Sequence, residues 1–87
     1  MLFMVIERFK RGDAAAVYRR YRDHGRMLPE GLHYVDSWTA ADLSHCFQLM
    51  DCAEPRLFDG WIIHWQDLID FEIVPVLKGQ EAAARLT

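Results

Sequence analysis

Five polar side chains lie within segments of this chain that read as β-strands: two carboxylates, an amide, a hydroxyl and an imidazole. Glu7, Gln48 and Glu72 are predicted on one face of a β-sheet, near the same end, with Ser37 and His33 on a neighbouring strand. Burial and mutual repulsion of the two carboxylates both raise a carboxyl pKa, so at least one should titrate above its ordinary value. Such a group suits general acid–base catalysis. Glu7 and Glu72 are therefore catalytic candidates, and Gln48, Ser37 and His33 are ligand-binding candidates. The alternative is a buried polar network that fixes the packing of the sheet.

A second group is aromatic and is predicted between the sheet and the helices: Tyr34, Trp38, Trp61, His64 and Trp65. Such rings suit a flat organic ligand, with Tyr34, Trp38 and Trp65 as binding candidates and His64 as a third catalytic candidate. The alternative is that so small a domain needs these rings for its core. No local motif indicates haem or another cofactor.

A third candidate is the connection at residues 25–31, which contains Arg26 and follows Arg22. Arginine side chains bind carboxylates and phosphates through paired hydrogen bonds, so this loop could hold an anion. It lacks the glycine spacing of a phosphate-binding loop. Packing of Met27 and Leu28 against the helices is the structural alternative.

A fold must hold these residues in place, and hydrophobic patterning predicts a fold with four strands and two helices. Residues 1–9, 32–39, 45–52 and 70–77 read as strands. Asp13 caps a helix that Gly25 ends, and a second helix opens at Glu54 and Pro55. The order β-α-β-β-α-β predicts a single α+β domain over residues 1–87, a ferredoxin-like sandwich with strand order 4-1-3-2. Residues 78–87 are either a short helix or a frayed tail.

Alternation along the strands divides the side chains between two faces. The larger and more apolar set is expected beneath the helices: Leu2, Met4, Ile6, Tyr34, Trp38, Phe47, Leu49, Phe71 and Ile73. The other set includes Val5, Val35, Met50 and Val74 together with Glu7, and it has no helix to cover it. A monomer rarely exposes so much contiguous apolar surface, so we expect a homodimer in which two sheets pack face to face.

Charge and cysteine content argue against several functional classes. Seven of the ten basic residues lie in the first 26 positions beside three acids, giving +4, while the remainder has three basic and ten acidic residues, giving −7. The overall charge of −3 and the lack of an RNA-recognition motif argue against nucleic acid. No segment reads as a signal peptide or membrane span. Cys46 and Cys52 should not pair, and no metal-binding spacing occurs, which favours a cytoplasmic protein without a metal.

Four segments carry a resemblance to a known family: MVIERF, GRMLPEGLHYVDSW, CFQLMD and WQDLIDFEIVPVL. They resemble a family of small bacterial proteins known only as a domain of unknown function, which is similar to the dimeric α/β-barrel superfamily. That resemblance implies a homodimer with a ligand pocket in each subunit, so the expected function is to bind or transform a small organic molecule. The superfamily also contains proteins without known chemistry, and the alternative is a non-enzymatic dimeric interaction or accessory module.

Overall fold

A computed structural model describes all 87 residues, and its central element is a four-stranded antiparallel sheet. The elements in chain order are β1 (Leu2–Phe9), a short 3-10 turn (Lys10–Gly12), α1 (Ala14–His24), β2 (His33–Thr39), β3 (His45–Asp51), α2 (Leu57–Ile62), β4 (Ile69–Val76) and α3 (Gly79–Leu86). The strands lie in the order β2-β3-β1-β4, which is the predicted order 4-1-3-2 read from the other edge. The α+β class and the strand order are thereby confirmed, consistent with a ferredoxin-like arrangement.

The ends of α1 follow the signals in the sequence. The Asp13 side chain accepts a hydrogen bond from the Ala16 amide at 3.1 Å, which satisfies one of the free donors of the first turn. Gly25 has a φ of 68°, a conformation that favours glycine, and its amide donates to the Tyr21 carbonyl at 2.7 Å. The chain leaves α1 there, and this exit places Arg26 against the sheet.

Helix α2 is short, and of the two alternatives for residues 78–87 the short helix is the one that forms. α2 ends at Ile62, and the chain continues in hydrogen-bonded turns as far as Ile69. These turns keep Trp65 on the same side as Trp61, so both indoles pack into the core. The tail forms α3, where the Glu81 carboxylate accepts a hydrogen bond from the Lys78 amide, and no residue of α3 is buried. None of the three α-helices has the length and apolar content needed to cross a membrane.

The helices cover the opposite face of β1 and β3 from the predicted one. Phe3, Val5 and Phe9 are buried, and the Phe58 ring of α2 packs edge-on against Phe3 at 5.3 Å. The prediction that Leu2, Met4 and Ile6 meet the helices is therefore wrong, as is the placement of Val5 and Met50 on an uncovered face. Counting apolar side chains does not separate the two faces of β1, because Phe3, Val5 and Phe9 are as apolar as Leu2, Met4 and Ile6.

The direction of the side chains was predicted correctly for β4 and only in part for β2. Phe71 packs against Trp61 at 5.3 Å, so alternate residues Glu72, Val74 and Val76 point away from the helices. In β2 the pairing shifts between Tyr34, opposite Met50, and Asp36, opposite Leu49, which leaves Val35 as an extra residue. This β-bulge turns both Tyr34 and Ser37 towards the helices. Trp38 then points away from them, contrary to prediction.

We call the side of the sheet beneath α1 and α2 the covered face and the other side the open face. The open face carries apolar side chains at its centre and charged ones near one end, namely Leu2, Met4, Ile6, Arg8, Trp38, Phe47, Leu49, Glu72, Val74 and Val76. Helix α3 borders only the end near Leu2 and Val76. Pro75 lies in the edge strand β4, where its missing amide leaves the sheet intact, as predicted.

Candidate functional site

A cavity of about 70 Å³ lies between the covered face and the helices. Its floor comes from the sheet and its walls from α1, from α2 with the turns after it, and from the loop after α1. The lining residues are Glu7, Phe9, Val17, Tyr18, Tyr21, Arg26, Ser37, Cys46, Gln48, Trp61, Trp65 and Ile69. A volume of this size has room for about five or six water-sized groups. The cavity therefore suits a small ligand, held among mostly apolar walls with a few polar groups.

The polar groups form a chain of three residues across this cavity. Arg26 Nε donates to Gln48 Oε1 at 3.1 Å, and Gln48 Nε2 donates to Glu7 Oε2 at 2.6 Å. Because a guanidinium only donates, the Gln48 amide is oriented with its oxygen towards Arg26 and its NH₂ towards Glu7. Gln48 thus holds one carboxyl oxygen of Glu7, while Glu7 Oε1 accepts no hydrogen bond from the protein.

Glu7 is the most deeply buried charged residue, with 3% of its surface exposed. Burial raises the pKa of this carboxyl from 4.5 to about 7, because the charged form loses its hydration. The hydrogen bond from Gln48 and the positive charge of Arg26 act in the opposite direction but do not cancel burial. Near neutral pH the carboxyl therefore exists in both protonation states, as a proton donor and acceptor requires.

Arg26 is held from two sides. Its carbonyl oxygen accepts hydrogen bonds from the indole Nε1 atoms of both Trp61 and Trp65, each at 3.0 Å. Its guanidinium lies 3.6 Å from the centre of the Tyr34 ring and 4.9 Å from that of Tyr21, and Nη1 donates to the Tyr21 hydroxyl at 3.3 Å. These contacts fix the side chain by cation–π attraction and hydrogen bonding without an ion pair.

A family model described as a domain of unknown function, DUF3303, matches residues 1–87. The chain belongs to this family. No curated protein and no solved structure matches it. Membership in the DUF3303 family agrees with the family resemblance in the sequence. It assigns no activity, so the function of the site is inferred from its geometry.

The structure separates the two candidate glutamates of the sequence. Glu72 lies on the open face opposite Ile6, and its carboxylate pairs with Arg8 at 3.0 Å. It therefore does not repel Glu7, whose raised pKa comes from burial. The prediction that the two carboxylates share one face of the sheet is therefore wrong. This correction follows from the inverted face of β1, which moves Glu7 beneath the helices and leaves Arg8 beside Glu72.

The other predicted site residues divide between the cavity and the surface. Gln48, Ser37 and Trp65 line the cavity, and the Tyr34 hydroxyl is hydrogen-bonded to Ser37 Oγ at 2.7 Å. Three candidates lie elsewhere. Trp38 is on the open face with 53% of its surface exposed, His33 lies exposed at the start of β2, and His64 is exposed beyond α2. The aromatic and the carboxylate groups of the sequence thus merge into one site around Glu7.

Several residues of the site could not be recognised as such from the sequence. Arg26 was a candidate anion ligand together with Arg22, but Arg22 pairs with Asp23 on the surface and only Arg26 reaches the cavity. Tyr21 and Cys46 also line the cavity and were not site candidates in the sequence. Burial and the negative charge of Glu7 raise the pKa of the Cys46 thiol to about 11, so this cysteine is a neutral wall of the cavity. No three acidic, histidine or cysteine side chains are grouped to hold a metal ion.

Proposed function

We propose that the chain binds a small organic molecule in the cavity of each subunit and transfers a proton to or from it through Glu7. The observation that carries the proposal is the Glu7 carboxyl itself: it is buried against a cavity, with one oxygen held by Gln48 and the other unpartnered. Because Gln48 holds Oε2, Oε1 is the oxygen that would take the proton.

The reaction class that fits these groups is proton transfer beside a carbonyl. Glu7 Oε1 takes a proton from the carbon next to the carbonyl, and the electron pair of the broken C–H bond becomes the second bond of an enolate. The negative charge moves to the carbonyl oxygen, where N–H or O–H donors stabilise it. Return of the proton from Glu7 to the same or another carbon completes an exchange or an isomerisation. The pKa of Glu7, near 7, supports both directions at neutral pH.

The test is exchange of carbon-bound hydrogen for deuterium in small carbonyl compounds, followed by proton NMR in D₂O. Pyruvate and acetone are an acid and a neutral ketone of suitable size. We expect faster exchange with the wild-type chain and a loss of about 100-fold or more in Glu7→Gln, the usual contribution of a general base. Glu72→Gln is the matched control and should retain full activity. Equal exchange in Glu7→Gln and wild type would contradict the proposal.

A second copy of the chain covering the open face is the other part of the proposal. Apolar side chains occupy the centre of that face, and charged side chains lie near one end, as in a sheet that packs against another sheet. The family resemblance also implies a homodimer. The face differs from the one predicted by alternation, since Val5 and Met50 are in the core. Light scattering should give twice the mass of one chain, and a monomer at micromolar concentration would contradict this part.

A non-enzymatic dimeric module is the second candidate function. Every fully buried polar side-chain atom has a hydrogen-bond partner, and the cavity is small, as expected of a network that only fixes the loop after α1 to the sheet. In that case Glu7→Gln leaves the fold and the dimer unchanged, and no compound shows exchange above the rate without protein. The exchange experiment therefore separates the two functions.

A further inference from the structure

We propose that the ligand of this cavity is a small carboxylic acid, bound as its anion by the Arg26 guanidinium. This inference rests on the proposed function and names its ligand class. The cavity has one fixed positive charge, from Arg26, and the neutral part of its wall is aromatic or aliphatic. A molecule with a carboxylate at one end and a short carbon skeleton at the other matches that distribution.

Arg26 differs from the ion-paired arginines of the chain in its lack of an acidic partner. Arg8, Arg20, Arg22 and Arg56 each contact a carboxylate of Glu or Asp, at 2.6–3.0 Å. The hydrogen bonds of Arg26 go to the Gln48 amide and the Tyr21 hydroxyl, both neutral groups. A partly buried guanidinium with no carboxylate in direct contact attracts an anion more strongly than an exposed ion-paired one, because solvent screens it less.

The guanidinium also has donors to spare. Of its five N–H groups, one on Nε and one on Nη1 are used by Gln48 and Tyr21, which leaves three on the two terminal nitrogens. Those nitrogens are the pair that binds a carboxylate through two parallel hydrogen bonds. The two indole bonds hold the backbone of Arg26, and contacts with Gln48, Tyr21 and Tyr34 hold its guanidinium, so the side chain need not be ordered on binding.

The exposed part of the cavity wall is formed by two tyrosines. Tyr18 and Tyr21 are each about two-fifths exposed, whereas Trp61, Trp65 and Glu7 are buried. An acid entering between these rings meets Arg26 near the surface and directs its carbon skeleton inward towards Glu7. With room for about five or six water-sized groups, the cavity favours acids of that many non-hydrogen atoms, such as propanoate or pyruvate.

Propanoate and propanamide are matched probes, since they have the same shape and size and differ in charge. The indole N–H signals of Trp61 and Trp65 report on Arg26, and that of Trp38, on the open face, is an internal control. We expect propanoate to shift the first two signals in a saturable way and propanamide to bind about 10- to 100-fold more weakly, the difference between charged and neutral hydrogen bonds. The Trp38 signal should not move.

Two variants test the role of Arg26 directly. Arg26→Gln should weaken propanoate binding about 10- to 100-fold and leave propanamide unchanged, and Arg26→Lys should restore part of the affinity through its charge. Arg22→Gln, four residues away and paired with Asp23, is the control and should bind as wild type. Both indoles bond to the backbone of Arg26, so dispersed indole signals in Arg26→Gln show that the loop is intact.

The outcomes distinguish the ligand class from the proposed function. Equal binding of propanoate and propanamide, or full propanoate affinity in Arg26→Gln, would overturn the assignment of Arg26 and leave proton transfer by Glu7 open to the exchange test. Exchange of acetone but not of pyruvate would do the same. Propanoate binding without deuterium exchange of any compound would support the anion site and contradict proton transfer.

Discussion

The two faces of the sheet each carry a glutamate, and the contrast between them locates the chemistry. Glu7 and Glu72 are on adjacent strands, one position apart in register, since Glu72 pairs with Ile6. Glu7 points beneath the helices, is 3% exposed and contacts a neutral amide, whereas Glu72 points to the open face and pairs with Arg8 in solvent. Helix coverage, more than residue type, therefore decides which carboxyl is buried beside the cavity.

The faces differ in the same way for apolar residues. Val5 is fully buried beneath α2, and Met4, its neighbour, is only half-buried on the open face. In the single chain most apolar side chains of the covered face are buried, whereas those of the open face are still partly exposed. Paired substitutions at adjacent positions can therefore separate what holds the subunit together from what would hold two subunits together.

The largest effect is expected at that pair. Val5→Lys places an unpaired charge in the core at a cost of several kcal/mol, comparable to the whole stability of so small a domain, and should unfold the chain. Met4→Lys, opposite Leu49 and Val74, should leave a folded monomer. Circular dichroism and light scattering check both. A folded Val5→Lys, or a dimeric Met4→Lys, would contradict the division between the two faces.

The tryptophans give the next largest contrast. Trp65 is 4% exposed and bonds to the Arg26 carbonyl, so Trp65→Ala should lower the free energy of unfolding by about 3–5 kcal/mol. Trp38→Ala, on the open face of a monomeric Met4→Lys chain, should lower it by less than about 1 kcal/mol. Denaturant melts measure both. Similar losses at the two positions would mean that Trp38 is packed as deeply as Trp65.

The order of elements and strands could be predicted because it depends on local signals. Asp13 and Gly25 mark the ends of α1, and Pro75 marks an edge strand. The face of β1 could not be predicted by counting apolar residues, because both faces are largely apolar. What decides is the face against which the rings of α2, especially Phe58 and Trp61, pack, and that depends on how the layers meet in space.

The site could be predicted in its residue types but not in its geometry. Glu7, Gln48 and Ser37 were candidates, and the structure brings all three to one cavity. The β-bulge at Val35 exchanges the directions of Ser37 and Trp38, and no alternation rule anticipates it. Arg26 reaches Gln48 only because the chain turns at Gly25 and the two indoles hold the next carbonyl, contacts that have no periodic signal.

The pH dependence of stability should follow Glu7. Its folded pKa of about 7 lies above the ordinary 4.5, so folding favours the protonated form. The stabilisation is complete below about 4.5 and is lost as pH rises through 7, a change of about 3 kcal/mol. Glu7→Gln should abolish this change and be the more stable form above pH 7. Urea melts between pH 4.5 and 8 measure it, and parallel curves for the two chains would contradict burial of a titrating carboxyl.

Asp67 offers a check on that assignment. Hydrogen bonds from Arg20 hold the pKa of the Asp67 carboxyl at about 2, so its contribution is present above 3.8 and is lost only as pH falls towards 2. The two effects therefore have opposite signs and occupy separate pH ranges. Asp67→Asn should change the acid limb and leave the change between pH 4.5 and 7 intact.

The smallest effect is expected for the ion pair on the open face. Arg8 and Glu72 are each half exposed in the single chain, and such pairs contribute about 0.2–1 kcal/mol. A double-mutant cycle of Arg8→Gln and Glu72→Gln in the monomeric Met4→Lys chain should give a coupling in that range. In 1 M NaCl the coupling should fall towards zero, because the screening length is then about 3 Å. A coupling above about 2 kcal/mol that persists in salt would mean that the open face is shielded from solvent even in one chain, and the contrast with Glu7 would fail.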